Sequence, residues 1–196
     1  MRKQQSKKPV SGHIRVISGR FRGRKLPVKD VEGLRPTTDR VKETVFNWLM
    51  QDVRDAKVLD CFAGSGSLGF EALSRFAHSG VFFEFDKQVA QQLQDNIATL
   101  KLDNAQVEQG DTLGKLAVQA PQQFDLVFVD PPFRRDMLQT SCALLETNHW
   151  LNKDALIYVE FEREKTPEFP ANWTILKEKL AGQVCCRLYQ RTERIQ

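Results

Sequence analysis

The stretch Lys57-Val-Leu-Asp-Cys-Phe-Ala-Gly-Ser-Gly-Ser-Leu-Gly69 decides how the chain folds. Its first four residues read as a short strand, Lys57–Asp60. Gly64-Ser-Gly-Ser-Leu-Gly69 then fits GxGxxG, and a helix is expected from about Ser67 to Phe76. Glycines in such a strand–loop–helix let backbone approach a ligand and let the helix pack close on the strand. The motif alone is a weak signal, so its surroundings carry the reading.

Downstream, strand and helix patterns alternate. Strands are expected over Val81–Phe85, Ala105–Glu108, Phe124–Val129 and Ala155–Phe161. Between them, Val89, Leu93, Ile97 and Leu100 mark one helix, and Leu138, Leu144 and Leu145 another. Upstream, Leu34-Arg-Pro-Thr-Thr-Asp39 reads as a helix entry, and Val41, Val45, Trp48 and Leu49 form an apolar face. The end differs: Thr174–Leu180 and Val184–Tyr189 flank Ala181-Gly-Gln183, an antiparallel hairpin. The alternation predicts an α/β fold, a parallel sheet with helices on both faces and a mixed edge.

Three acids stand where such a sheet binds ligands, at the carboxyl ends of strands. Asp60 ends the first body strand, Glu84 lies twenty residues after Gly64, and Asp111 follows the third strand. Glu84 suits a ribose diol. Either a nicotinamide dinucleotide or S-adenosylmethionine satisfies the loop and Glu84. Asp60 favours the second, because a carboxylate there faces a cationic amino-acid end well and a pyrophosphate badly. Asp111 can accept from an adenine amine. The chain is also short for two mononucleotide halves plus a substrate domain.

Asp130-Pro-Pro-Phe133 follows a strand that reads as buried. Two prolines stiffen the turn and remove two N–H donors. What remains is an acceptor array, the Asp130 carboxylate and the Pro131 carbonyl, suited to an NH2 group. An exocyclic base amine is a poor nucleophile; acceptors gripping both N–H bonds aim its lone pair, while Phe133 stacks on the base.

Charge is unevenly placed. Residues 1–29 carry ten Lys and Arg and no acid; the remaining 167 carry nineteen basic and twenty-five acidic residues. A basic arm on an acidic body reads as a polyanion contact. Residues 1–11 are expected as a disordered basic tail. Residues 12–33 are expected as a β-hairpin whose exposed face bears Arg15, Arg20, Arg22, Arg24 and Lys25, and 34–196 as the main domain. The 41% hydrophobic content excludes global disorder. No apolar run approaches the ~20 residues of a membrane span. Four cysteines without a CxxC pair and three scattered histidines argue against structural zinc or a disulfide framework, and so for a reduced, cytoplasmic protein.

Together these segments resemble the RsmD family of bacterial 16S ribosomal RNA methyltransferases. The resemblance rests on Asp60-Cys-Phe-Ala-Gly-Ser-Gly-Ser-Leu-Gly69, Glu84, Asp111 and Asp130-Pro-Pro-Phe133. It rests also on Ile17-Ser-Gly-Arg-Phe-Arg-Gly-Arg-Lys-Leu26 and Leu34-Arg-Pro-Thr-Thr-Asp-Arg-Val-Lys-Glu-Thr-Val-Phe-Asn-Trp-Leu49. It implies a Rossmann-like class I fold with a seven-stranded mixed sheet and an N-terminal β-hairpin extension. It implies methyl transfer from S-adenosylmethionine to the exocyclic N2 of one guanosine in the small subunit's 16S RNA. In that reading Asp60, Phe62, Gly64, Gly66, Glu84 and Asp111 hold the cofactor. Asp130, Pro131 and Phe133 serve the reaction, and Arg35 joins the hairpin's basic residues on RNA, with Glu43 and Asn47 shaping the pocket roof. No metal is implied, and a monomer is expected because the RNA partner is large. Three other readings stay open: a DNA adenine-N6 methyltransferase, a non-catalytic RNA-binding assembly factor and a dinucleotide oxidoreductase.

Overall fold

The computed structural model describes residues 12–29, 38–132 and 137–192. The expected tail at 1–11, Arg35 and Phe133 lie outside them. β1 (Gly12–Arg15) and β2 (Lys25–Val28) form a separate antiparallel pair, followed by α1 (Asp39–Trp48). The body runs β3 (Lys57–Asp60), α2 (Ser67–Ser74), β4 (Ser79–Glu84), α3 (Lys87–Leu100), β5 (Ala105–Gln109), α4 (Thr112–Leu116), β6 (Phe124–Val129), α5 (Met137–Thr147), β7 (Leu151–Glu162), β8 (Trp173–Ala181) and β9 (Val184–Arg191).

Seven strands pair in the order β5-β4-β3-β6-β7-β9-β8. β5 to β7 are mutually parallel, and β9 runs antiparallel to both β7 and β8. The chain winds from β3 outward to β5, then returns to β6 on the other side of β3. Strand order therefore reverses between β3 and β6, where open α/β sheets bind ligands.

Strand alternation feeds two cores. Val58, Phe82, Phe128 and Tyr158 face the side covered by α1, α2 and the hairpin. Leu59, Phe83, Val129 and Val159 face the side covered by α5. Both faces of the central strands are buried, which explains their near-continuous apolar sequence.

Boundaries differ from expectation for local reasons. α2 stops at Ser74 because Phe76 takes a left-handed φ of 71°. α4, five residues capped by Asp111, is too short to leave a periodic signal. β7 starts at Leu151, four residues before the expected Ala155, and its register against β6 shifts past Leu151.

The hairpin is docked rather than free. Ile14, Val16, Leu26 and Val28 enter the first core. Arg15 and Lys25 face each other in register, while Arg20, Arg22 and Arg24 ride on the connection between the strands; all five are exposed. The connection is pinned by Glu71, a fully buried carboxylate on α2. Glu71 accepts from the Ile17 N–H at 2.8 Å and the Ser18 N–H at 3.0 Å, and pairs with Arg75 at 2.8 Å. Ser74 adds a second clamp, its hydroxyl and carbonyl accepting from the Phe21 and Arg20 N–H groups. A side chain on Gly19 would strike the Ser74 carbonyl at 1.9 Å, so the turn needs glycine there. From α1, the buried Lys42 ammonium reaches the Arg15 carbonyl and, at 3.2 Å, the Ser67 hydroxyl. Burial lowers the Lys42 pKa, and Glu71 and Asp39 work against that.

Removing Glu71 strands two backbone donors and Arg75. Glu71→Ala is expected to lower the unfolding free energy by about 3 kcal/mol or more. Urea denaturation checks this, and an unchanged midpoint overturns the role given to Glu71.

Candidate functional site

The loop between β3 and α2 is built for close approach. Gly64 and Gly66 take left-handed φ values of 50° and 75°, and Gly66 is the N-cap of α2. A Cβ on Gly66 would come within 2.6 Å of Leu93 and Phe70. On Gly69 it would meet the Phe82 ring at 2.3 Å. The third glycine thus serves helix-on-strand packing, and the first two shape the loop.

The acids brace this loop. Asp60 is buried and accepts from the Gly69 N–H at 3.2 Å, in the first turn of α2. Glu84 accepts from the Gly64 N–H at 2.9 Å and the Asp86 N–H at 2.7 Å. Asp111 is exposed and caps α4 through the Gly114 N–H at 2.8 Å. Thr112 ties α4 to the loop through the Cys61 carbonyl at 2.7 Å. Each acid stands at a carboxyl strand end, and each already accepts backbone hydrogen bonds there. Phe62 is half-buried and packs against the second core.

A row of carboxylates crosses the switch point. Asp60 pairs in register with Phe128, and Val129 with Val159, so Asp130 and Glu160 follow side by side on β6 and β7. Alternation puts Asp60, Asp130 and Glu160 on the face of Val58, Phe128 and Tyr158. Burial pushes the Asp60 pKa up from 3.8 to about 7, the Gly69 N–H and Phe62 N–H opposing and Glu84 adding to the rise. Asp130 is pushed well above the usual range by burial and by the charges of Glu160 and Asp60. Glu84 and Glu160 are also raised, chiefly by burial. Carboxylates so placed favour a cationic ligand and disfavour a pyrophosphate.

Beside the row lies a cavity of about 310 Å³, lined by Pro131, Pro132, Glu160 and Phe161 with Met137 and Leu138 at the start of α5. The structure therefore brings Asp60, Glu84, Asp130 and Pro131 to one edge. Of the basic hairpin residues, Arg20 sits at the far end of α2 beside Ser74, and Arg15 is tied through Lys42 to its start at Ser67. Glu43 and Asn47 are exposed on α1.

Sequence reading missed Glu160 and Phe85. Glu160 is an acid inside the apolar run Ile157-Tyr-Val-Glu-Phe161, and that was its signal. Phe85 follows Glu84 and is 69% exposed, an aromatic surface at the ligand edge. All four cysteines are buried and free, and among the described residues no cluster of His, Cys, Asp or Glu is placed to hold a metal. No described helix is long and apolar enough to cross a membrane.

Comparison with known proteins places the chain among relatives. A family model described as conserved hypothetical protein 95 matches residues 14–190. Ribosomal RNA small subunit methyltransferase D of Escherichia coli K12 is 57% identical over 182 residues, covering 92% of this chain and 91% of the relative. The solved structure of yhhF from Escherichia coli superposes with a TM-score of 0.87 at 53% identity, covering 93% of this chain and all of that one. The fold is also that of an RNA methyltransferase from Salinibacter ruber in complex with S-adenosyl-L-homocysteine. That match has a TM-score of 0.62 at 16% identity and covers 83% of this chain and 97% of that one.

Asp60 makes the stability of cofactor-free protein depend on pH. Its folded pKa lies above its unfolded value, so its contribution is full below about 4 and is lost as pH rises through about 7. Asp60→Asn removes that loss. The variant is expected to gain on the wild type between pH 4 and 7, by at most about 4 kcal/mol. Urea midpoints from pH 4.5 to 8 check this, and a pH-independent difference overturns it.

Proposed function

Because the chain belongs to the RsmD family, we propose that it transfers a methyl group from S-adenosyl-L-methionine to the exocyclic N2 amine of a guanosine in 16S ribosomal RNA. The observation that carries the reading is Asp130-Pro131-Pro132 placed at the switch point, next to the glycine loop and facing a cavity. The family names support ribosomal RNA as substrate. The base and the atom rest on the chemistry below.

The residues fit the cofactor. The acidic edge suits its sulfonium and ammonium charges, Glu84 keeps lone pairs for a ribose diol, and the half-buried backbone at Gly64 lies beside that carboxylate. Asp60 holds the loop from beneath through Gly69 and adds negative charge under the amino-acid end. Asp111 stands at the adenine side, and exposed Phe85 offers that ring a stacking face. When bound, the cofactor supplies an electrophilic methyl carbon.

The chain's own residues supply aim and a proton sink. The target base must leave its stack to reach the edge. Asp130 and the Pro131 carbonyl accept from the two amine N–H bonds, and Phe133 covers the base face. Fixing both N–H bonds directs the nitrogen lone pair and avoids reorganisation at the moment of transfer. Methylation makes the nitrogen strongly acidic. Its proton passes to Asp130, whose proton affinity is raised by burial and by Glu160. Arg15, Arg20, Arg22, Arg24 and Lys25 grip RNA phosphates, and Arg20 also lies 4.6 Å over the Phe21 ring.

Two measurements test this. With radiolabelled cofactor and small subunits from cells lacking the endogenous enzyme, label should appear in N2-methylguanosine. Asp130→Ala should lower kcat by about 100- to 1000-fold while cofactor affinity stays. Full activity in that variant, or label elsewhere, overturns the proposal; RNA binding without any transfer favours an assembly factor. Separately, the triple variant Arg22→Ala, Arg24→Ala, Lys25→Ala should weaken RNA binding and reduce the salt slope by about 2 to 3. An unchanged slope removes the hairpin from the interface.

A further inference from the structure

We infer that Glu160 selects guanine at this site, its carboxylate accepting from the ring N1–H of the base whose amine Asp130 and Pro131 hold. The inference rests on the proposed methyl transfer and goes beyond it by naming the group that distinguishes one base from another.

The geometry comes from β6 and β7. Val129 and Val159 are register partners on parallel strands, so Asp130 and Glu160 occupy the next position on each, on one face. Adjacent strands lie about 4.8 Å apart, close enough for side chains at these two positions to converge on one base edge. Glu160 and the Pro131-Pro132 turn line the same cavity. At about 310 Å³ the cavity is at the lower end of small-ligand sites and accommodates one base. Pro131, Pro132, Met137, Leu138, Phe161 and Pro167 give it apolar walls suited to base faces.

Glu160 has no structural debt that explains it. It is only 8% exposed, and its one side-chain hydrogen bond among the described residues comes from the Tyr158 hydroxyl at 2.7 Å. No cation among the described residues pairs with it. A buried acid is costly unless a partner satisfies it. Burial raises the Glu160 proton affinity, and the Tyr158 hydroxyl, donating to Oε1, opposes that rise and leaves Oε2 for a ligand donor.

An acceptor beside the amine-holding turn separates the bases. Guanine places N1–H next to its N2 amine, so consecutive donors meet consecutive acceptors. Adenine and cytosine place a ring nitrogen lone pair next to their amines, and that lone pair would oppose the Glu160 carboxylate. A site built on paired acceptors therefore takes guanine and rejects the other two amines, because a mismatched base leaves buried polar groups unpaired.

The test uses Glu160→Gln, which keeps shape and removes the charge. The probe is small subunits from cells lacking the endogenous enzyme, with radiolabelled cofactor and nucleoside analysis. Expected are a melting temperature no lower than wild type, cofactor affinity lowered less than kcat/KM, and kcat/KM for N2-methylguanosine formation reduced at least tenfold. Wild-type kcat/KM in the folded variant overturns the inference alone. So does a loss of cofactor affinity as large as the loss of kcat/KM, which would assign Glu160 to the cofactor instead of the base. If wild-type protein itself labels N6-methyladenosine, the parent reading fails and this inference fails with it.

Discussion

The buried carboxylate of Glu71 is the contact on which the arrangement of this molecule depends. It has no exposure, and it takes two backbone donors from the basic hairpin and one from Arg75. Few other devices could hold that connection, because Ile17 and Ser18 offer N–H groups with no strand partner there. Since Glu71 sits on α2, the hairpin is fixed to the helix that begins at the glycine loop. α2 is eight residues, about 12 Å. The basic surface and the ligand loop are thus attached to one short rigid element. Lys42 reinforces the same joint by bonding the hairpin at Arg15 and the helix start at Ser67. In the proposed reading, a polyanion on the hairpin is held at a set distance from the carboxylate row.

That edge is kept at a cost to stability. Asp60, Asp130 and Glu160 are brought together in a desolvated row; burial makes each hold its proton more tightly, and at Asp130 the charges of Glu160 and Asp60 add to that. A fold selected only for stability would place apolar residues there, as β3, β6 and β7 do at residues 58–59, 126–129 and 155–159. Acids gathered where strand order reverses are the signature of a site whose ligand brings positive charge and donors.

Much of this was readable before the structure. β3 and β6 fall on Lys57–Asp60 and Phe124–Val129 as expected, because buried parallel strands leave short apolar runs bounded by turn residues. The glycine loop was legible for the same local reason. Asp60, Glu84 and Asp130 were legible because an acid just past an apolar run is conspicuous. Glu71, Lys42 and Glu160 were not, since each derives its role from a partner distant in sequence. Lys42 sits on the Val45, Phe46 and Leu49 face of α1, where a charged residue is normally a solvated exception. Glu71 is one acid in a helix of small and apolar residues, and nothing local says that a hairpin 53 residues earlier needs it. The arginines of the hairpin were placed on the exposed side correctly. Their position on a connection rather than on strands depends on the Gly19 and Gly23 turns, with φ values of 82° and 83°.

The carboxylate row also links the two ligands of the proposed reaction. A base amine can be gripped only by acceptors, and a protonated carboxyl has lost part of that capacity. Burial raises the proton affinity of Asp60, Asp130 and Glu160, and at Asp130 the neighbouring acids raise it further. A neighbouring positive charge acts in the opposite direction and favours ionisation. Occupation of the loop by a sulfonium therefore prepares the acceptors that the guanine edge requires. Guanine donors on the same carboxylates strengthen the site for the cation in turn, since coupling between two ligands is reciprocal. In the proposed reaction each ligand therefore strengthens the site for the other, through the charge of the same carboxylates.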